Sequence, residues 1–320
     1  MADKALAARL ILNRLGVGVL TLLVVSAIIF TITSLLPGDA AEEALGQSAT
    51  PETVAALRAQ YGLDKPGLVR YANWLGGLVT GNLGQSFTAS MPVSDLIATR
   101  LPKSLLLAAV TAVVSVPLAL AIGILAAMGR GGALDRALSL ATLSMVAVPE
   151  FLVATIAVLV FAVKLRWLPA LSNAVDIKDA GQFFRTYAMP VLTLCFVVIA
   201  QMARMTRAAV LDQLSASYVE MAVLKGAKPA RVALRHALPN AIGPIANAVA
   251  LSLSYLLGGV VIVETIFNYP GIASLMVDAV TNRDMPVVQA CAMVFCFAYL
   301  LLVLVADLVA ILSNPRLRHR

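Results

Sequence analysis

The amino-acid sequence predicts an all-α integral membrane protein with six transmembrane helices. Apolar residues make up 60% of its 320 residues and charged residues only 13%, whereas soluble domains average roughly 45–50% and about 25%. The apolar residues form long runs over the whole chain, and a run in lipid must be helical because hydrocarbon offers no partner for unpaired backbone groups. Six such runs fall at roughly 15–36, 104–128, 140–163, 187–209, 243–263 and 290–313.

The distribution of lysine and arginine predicts that both termini lie in the cytoplasm. Six spans put the termini on one side of the membrane, and 14 of the 24 Lys and Arg residues belong to that side. The short segments on the opposite side hold five, and short cytoplasmic loops carry the basic excess in membrane proteins. The formal charge of +7 therefore marks cytoplasmic loops and does not indicate nucleic-acid binding.

The predicted spans divide the chain into four parts. Residues 1–36 form a cytoplasmic N-terminus and helix 1, which at about 22 apolar residues is too long for the core of a signal peptide. Residues 37–103 form a periplasmic helical segment. Residues 104–313 carry helices 2–6 and include a cytoplasmic loop at 210–242, and residues 314–320 form a cytoplasmic tail.

The periplasmic segment contains clear helix signals. Thr50-Pro51-Glu52 has a capping residue before a proline at the first helical position. A second start at Asp64-Lys65-Pro66 opens an amphipathic stretch that Gly81 ends. A third short amphipathic piece follows Pro92 and brings Val93, Leu96 and Ile97 together. We therefore expect a small helical layer at the outer membrane face.

The cytoplasmic loop at 210–242 reads as two short helices hinged at Gly226, with Pro229 starting the second. In the second helix the basic residues share one side and the apolar residues the other. Such a helix either lies on lipid or docks into a protein groove, and its pattern alone leaves both open. The two sets are Lys228, Arg231 and Arg235, and Ala233, Leu234, Ala237 and Leu238.

This loop resembles the coupling loop of ABC importer permeases. The family pattern, Glu-Ala-Ala, three residues, Gly, nine residues and Ile-x-Leu-Pro, is matched except that Met221 replaces the first Ala and His236 the Ile. The sequence Arg-His-Ala-Leu is similar to the dipeptide, oligopeptide and nickel branch of the family. The resemblance implies that the loop inserts into a cleft on an ATP-binding subunit. The implied coupling residues are Glu220, Ala222, Gly226, Arg235, His236, Leu238 and Pro239.

Further motifs in the same order extend the resemblance to that branch over most of the chain. They are Leu36-Pro37-Gly38-Asp39, Tyr61-Gly62-Leu63-Asp64, Gly81-Asn82-Leu83-Gly84-Gln85-Ser86, Arg100-Leu101-Pro102, Val263-Glu264-x-Ile266-Phe267, Pro270-Gly271-Ile272, Arg283-Asp284-x-Pro286 and Asn314-Pro315-Arg316-Leu317-Arg318, where Asn314 replaces the Asp of the family.

The resemblance implies a permease subunit of an ATP-driven importer in the bacterial inner membrane, forming half of a translocation path for peptides or similar small solutes. It implies four kinds of partner: a homologous second permease, two ATP-binding subunits, a periplasmic or lipid-anchored binding protein, and membrane lipid. The sequence lacks a phosphate-binding Gly-x4-Gly-Lys-Ser/Thr loop. We therefore expect ATP and Mg to bind to partner chains. We expect this chain to hold no cofactor and to have no catalytic activity of its own.

No metal or catalytic site is expected either. His236 and His319 are the only histidines, and the three cysteines fall in apolar runs without metal-ligand spacing. The rival class is a secondary transporter that needs no ATPase, which would carry inverted repeats and broken helices with coupling carboxylates. A membrane-embedded enzyme is a third class, disfavoured by the lack of clustered catalytic groups.

Ionisable residues inside spans are candidates for the translocation path because their burial in lipid is costly. Glu150, after Pro149, either lines the path or bonds to neighbouring helices or to backbone freed by the proline. For Glu264, only the resemblance to the family implies a position beside the path. For Asp307 we expect pairing with an Arg on an adjacent helix. Arg204 and Arg207 are either its partners or contacts for lipid headgroups, and the sequence leaves both open.

Overall fold

A computed structural model describes residues 2–35, 42, 49–172 and 177–313 of the chain. Regular structure in these ranges is helical, and five helices are long and apolar enough to cross a membrane. A sixth span is present if two helices joined by a sharp bend count as one. The all-α membrane architecture is therefore confirmed, and the side on which the termini lie stays a prediction. The motifs at 36–39 and 314–318 lie outside the described residues.

The helices are numbered in chain order. Five of them contain the predicted spans other than the third: α1 (Ala2–Leu35), α4 (Val93–Met128), α7 (Ala180–Leu214), α9 (Leu238–Ile266) and α11 (Met285–Ser313). The others are shorter: α2 (Pro51–Gln60), α3 (Gly67–Thr80), α5 (Ala133–Ala147), α6 (Glu150–Ala157), α8 (Ser217–Leu224) and α10 (Ile272–Thr281). Two π-helical stretches extend α6 and precede α9, at Val158–Lys164 and Val232–Ala237.

The third span is not the single straight helix that the sequence predicted at 140–163. It consists of α5 and α6 with its π-helical extension, which meet at an angle of 95°. Val148 adopts an extended conformation, with φ −87° and ψ 124°, because the ring of Pro149 disfavours the helical region for the residue before it. Glu150 consequently occupies the first position of α6 and not the middle of a continuous helix.

The described chain forms two compact units. The first unit consists of Leu106–Tyr269 with the two ends of the chain, and the second of Val17–Leu105 and Pro270–Ala298. In the first unit α4 and α7 approach closely at Gly123, where a Cβ atom would stand 2.6 Å from the carbonyl oxygen of Ala203. Small side chains at such positions let helix backbones pack tightly.

The second unit confirms two of the three predicted helices of the 37–103 segment. Thr50 caps α2 and forms a reciprocal capping box with Thr53. Helix α3 begins after Pro66 and ends at Gly81, whose φ of 80° is left-handed. The third predicted piece is not separate, because Val93 begins the 36-residue helix α4. A helix can extend beyond the apolar part that crosses the membrane, so Arg100 and Lys103 do not end α4.

A buried carboxylate holds the second unit together and explains two of the sequence motifs. Asp284, at 2% exposure, accepts hydrogen bonds from the hydroxyl groups of Ser86 and Thr88. Its oxygens also accept from the backbone N–H groups of Phe87, at 3.1 Å, and Thr88, at 3.3 Å. The Gly81–Ser86 motif and the Arg283–Pro286 motif, nearly 200 residues apart, are therefore parts of one polar junction.

Replacing this carboxylate is expected to destabilise the second unit. Asp284→Asn keeps the shape of the side chain but turns an NH2 group toward donors, and a lost charged hydrogen bond costs about 2–3 kcal/mol. We expect a lower apparent unfolding temperature for the purified chain in detergent, measured by circular dichroism. Asp278→Asn, an exposed position on α10, is the matched control, and an equal loss in both variants would contradict this role.

Candidate coupling segment and buried charged groups

The end of α8 builds the predicted hinge. The backbone N–H of Ala227 donates to the carbonyl of Ala222 at 3.1 Å, and that of Gly226 donates to Val223 at 2.8 Å. This pair of bonds is the Schellman motif, which needs a left-handed residue after the helix. Gly226 fills that position with φ 80°. The hinge predicted at Gly226 is therefore confirmed, and Ala222 contributes to it through its carbonyl oxygen.

The chain after the hinge is not a separate short helix as predicted. A helical turn at Pro229–Arg231 runs through the π-helical stretch Val232–Ala237 directly into α9. Val232 and Ala237 are buried against Val219 of α8. This contact fastens the two arms of the hinge to each other at the beginning of a long apolar helix.

The predicted division of the second arm into two faces is correct except at one residue. The three basic residues are exposed and Ala233 and Ala237 are buried, but Leu234 is 53% exposed. A π-helix bonds each residue to the fifth before it and so has more residues per turn than an α-helix. The apolar face counted with an α-helical period is therefore shifted, and Leu234 turns outward.

Apolar side chains on α8 form an exposed ridge beside the hinge. Met221, Val223 and Leu224 are 54%, 55% and 75% exposed. Glu220 is exposed on the same helix, whereas Ala222 is half-buried. In the second arm Arg235 and Pro239 are exposed and His236 and Leu238 are half-buried. The segment thus combines an apolar ridge with exposed basic groups on one rigid hinge.

A bidentate ion pair that the sequence did not predict joins α5 to α7. Nε and Nη2 of Arg207 donate to the two carboxylate oxygens of Asp135, at 2.7 and 2.9 Å. Asp135 also accepts from the backbone N–H of Gly131 at 3.0 Å. An acidic residue in the first turn of a helix is ordinarily explained as a cap, so the sequence contained no signal for the distant arginine.

Asp307 pairs with an arginine, as predicted, but with neither of the two candidates. Its carboxylate lies 3.2 Å from Nη1 of Arg14 on α1. Arg207 is bound to Asp135, and Arg204 is exposed. Neither candidate is therefore the partner of Asp307, because Arg14 and Asp307 belong to the same compact unit although they are nearly 300 residues apart in sequence.

Glu150 is buried against the backbone of α9. A Cβ atom at position 259 would stand 2.6 Å from Oε1 of Glu150 and 3.0 Å from Oε2, so a methyl group there would displace the carboxylate. The neighbouring Gly258 has open space around it. Of the two uses predicted for Glu150, this contact favours interaction with a neighbouring helix.

Glu264 is completely buried near the end of α9, where its carbonyl accepts the N–H of Tyr269 at 2.8 Å. The hydroxyl groups of Tyr269 and Tyr187 lie 2.9 Å apart. Burial raises the pKa of Tyr269, and the hydrogen bond with Tyr187 raises it further, so the phenol is neutral at physiological pH. Glu264 therefore belongs to a packed polar and aromatic end of the first unit.

Among the residues that the structure describes, no group of three or more His, Cys, Asp and Glu side chains is arranged to hold a metal ion. Cys195 and Cys291 are buried, Cys296 is half-buried, and none of the three forms a disulfide bond.

Comparison with known proteins relates both halves of the chain to membrane transport. Residues 119–319 match the family described as binding-protein-dependent transport system inner membrane component, and residues 7–108 match its N-terminal component. A probable peptide ABC transporter permease protein of Sinorhizobium fredii is 37% identical over 97% of this chain and 99% of its own length. A putative peptide transport system permease protein of Brucella abortus is 34% identical over 97% and 99%. The glutathione transport system permease protein of Escherichia coli K12 is 36% identical over 94% and 95%.

The contact between Glu150 and α9 is testable with two adjacent glycines. Gly259→Ala introduces a methyl group into the space of the carboxylate, and overpacking of this kind costs about 1–3 kcal/mol. We expect a lower apparent unfolding temperature for Gly259→Ala and an unchanged one for Gly258→Ala. Adding Glu150→Asp to Gly259→Ala shortens the side chain and should restore stability, whereas Glu150→Gln should not. Equal behaviour of the two glycine variants would contradict the contact.

The ion pair between α5 and α7 has its own test. Arg207→Met leaves the buried Asp135 carboxylate without its opposite charge, so we expect the apparent unfolding temperature to fall. Combining Arg207→Met with Asp135→Asn removes that charge and should recover part of the loss, because the two residues form one network. Arg204→Met, at an exposed position one turn away, should change little. Additive effects of the two substitutions would argue against the pair.

Proposed function

We infer that this chain, which belongs to the family of binding-protein-dependent transport system inner membrane components, works as a permease subunit of an ABC importer for peptides or similar small solutes. One observation carries this conclusion: family matches in both halves, together with 34–37% identity to peptide and glutathione permeases over nearly the whole chain. Motif similarity confined to one loop would not cover both halves. A secondary transporter is not favoured, because these relatives are named as a permease of an ABC transporter and a permease of a transport system.

We propose that the hinge from Glu220 to Pro239 is the docking element for an ATP-binding subunit. Its support is the exposed apolar ridge of α8 beside a rigid Schellman turn. The second arm runs without interruption into α9. A displacement of the hinge by an ATP-binding subunit would therefore move α9 directly, because no flexible loop separates the two. The exposed Arg235 and the half-buried His236 are the proposed polar contacts of this arm.

The family implies the remaining partners. These are a second permease, ATP-binding subunits and a solute-binding protein, and in this proposal ATP and Mg are held by the ATP-binding subunits. The chain resides in the inner membrane, the location that the family description gives. We propose that both termini and the hinge face the cytoplasm, which agrees with the basic excess of those segments.

Our candidates for the translocation path are Pro149, Glu150 and Glu264. The sharp break at Pro149 supports the first two, since broken helices with ionisable residues at the break are a common design of solute paths. Both residues are buried: Glu150 is 8% exposed and Glu264 is not exposed at all. We therefore propose that both carboxylates support the wall of the path, Glu150 at the break beside Gly259 and Glu264 near the end of α9.

The hinge can be tested through its one left-handed residue. No atom lies within 4 Å of a Cβ atom at Gly226, so a substitution there acts through backbone strain and not through a clash. Gly226→Val should lower solute-stimulated ATP hydrolysis of the reconstituted importer by about tenfold, since a left-handed β-branched residue costs roughly 1–2 kcal/mol.

Gly226→Asn is the matched control because asparagine tolerates the left-handed conformation. It should keep most of the stimulated hydrolysis, and both variants should insert into the membrane normally. Full coupling in Gly226→Val would refute the proposed role of the hinge. Failure of the chain to co-purify with any ATP-binding protein would refute the importer assignment itself.

A further inference from the structure

The second unit contains a cavity of about 1000 Å³, at the upper end of the range of small-molecule sites. Its walls come from α1, α2, α3, the turn at 81–87 and the beginning of α11, so it is built from the predicted periplasmic segment and its neighbours. It contains none of the residues of the hinge or of Pro149, Glu150 and Glu264. A site in this cavity would therefore be separate from the elements discussed above.

The charged side chains around the cavity are predominantly basic. Arg58, Lys65, Arg70 and Arg283 line it, and Asp64 is the only acid among its described lining residues. Arg58 and Arg283 have interactions within the protein, so they contribute to the positive potential without being free to bind a ligand. The cavity therefore favours an anionic occupant.

Two buried donors in the cavity wall have no hydrogen-bond acceptor among the described residues. They are Nε of Arg70 and Nε1 of Trp74, four residues apart on α3 and so on the same face of the helix. Buried polar groups without a partner are rare in native proteins and cost about 1–3 kcal/mol each. Both nitrogen atoms are covered while the cavity is empty, so an acceptor in the cavity recovers this cost once a small rotation of the two side chains uncovers them.

Aromatic contacts hold both donors in place. The guanidinium carbon of Arg70 lies 5.8 Å from the centre of the Phe30 ring, within the range of a cation–π contact. The Phe30 and Trp74 ring centres are also 5.8 Å apart. The donors are thus fixed before a ligand arrives, which reduces the entropy lost on binding.

We propose that this cavity binds the carboxylate of a small peptide, with Arg70 and Trp74 donating to its oxygens. Uncharged amide side chains on the wall are suited to the peptide groups, which carry the same donors and acceptors. They are Gln60, Asn73, Asn82, Gln85 and Gln289. The stacked pair of Tyr61 and Phe87, 4.3 Å between ring centres, offers an apolar surface for a side chain. The choice of a peptide as the carrier of the carboxylate rests on the proposed function.

The chain provides its own reporter for this site. It has two tryptophans, and Trp167 is exposed and contacts Phe161 in the first unit. In a Trp167→Phe background the fluorescence of the purified full chain reports Trp74 alone. The probe is a tetra-alanine peptide with a free C-terminal carboxylate, titrated beside the same peptide with an amidated C-terminus and beside glycerol phosphate.

The free-acid peptide is expected to give a saturable change in Trp74 fluorescence, and the amidated peptide none. Arg70→Met should weaken the binding by about tenfold or more, because a charged hydrogen bond is lost. Arg70→Lys keeps the charge but lacks the Nε–H group, and should weaken it to a lesser extent. Arg185→Met, at an exposed position on α7, should bind normally and serves as the control.

Three results would overturn the inference: no saturable change with the free-acid peptide, an equal change with the amidated peptide, or an equal change with glycerol phosphate. The last would assign the cavity to a phosphate group such as a lipid headgroup. Import by the complete transporter is measured separately with the same peptide. If the peptide changes Trp74 fluorescence as expected but the complete transporter does not import it, the proposed function alone is contradicted. If the transporter imports the peptide but Trp74 fluorescence shows no binding, this inference alone is contradicted.

Discussion

Hydrocarbon offers no hydrogen-bond partner to backbone N–H and C=O groups, and the architecture of this chain depends on that constraint. Long helices satisfy their own backbones, so the chain needs other partners only where a helix ends or breaks. At the break between α5 and α6 the missing N–H of Pro149 leaves no donor to satisfy, and the carboxylate of Glu150 is packed against Gly259. At the hinge, the Schellman bonds around Gly226 satisfy the last carbonyls of α8.

Lipid also weakens the hydrophobic attraction between helices, so close packing and polar contacts hold the first unit together. Gly123 lets α4 approach α7 to a distance that a side chain would forbid, and Gly259 leaves room on α9 for the Glu150 carboxylate. The pairs Asp135–Arg207 and Arg14–Asp307 join helices far apart in sequence. Together these contacts connect the helices of the first unit, and the proposed transmission of force from an ATP-binding subunit depends on such connections.

The second unit is organised differently. A short loop at residues 86–88 is bound there to the residue before α11. The Asp284 carboxylate accepts four hydrogen bonds from this loop. This junction borders on residues of the cavity wall, since Phe87, Arg283 and Met285 line the cavity. The junction therefore fixes the loop and the helix start that form one side of the cavity whose opposite wall carries Arg70 and Trp74. Stability and the proposed binding of a carboxylate are therefore linked in this unit.

The sequence by itself determined the features that depend on neighbouring residues: the apolar spans, the caps at Thr50 and Gly81, the hinge at Gly226 and the motifs that identify the family. Only the tertiary structure decided the bend at Pro149, the continuity of α4, the outward turn of Leu234 and the partners of Asp135, Asp284 and Asp307. The physical reason is the distance along the chain over which each interaction acts. A cap or a period is set within a few residues along the chain, whereas the partner of a buried charge comes from a helix that packing, and not sequence distance, brings near.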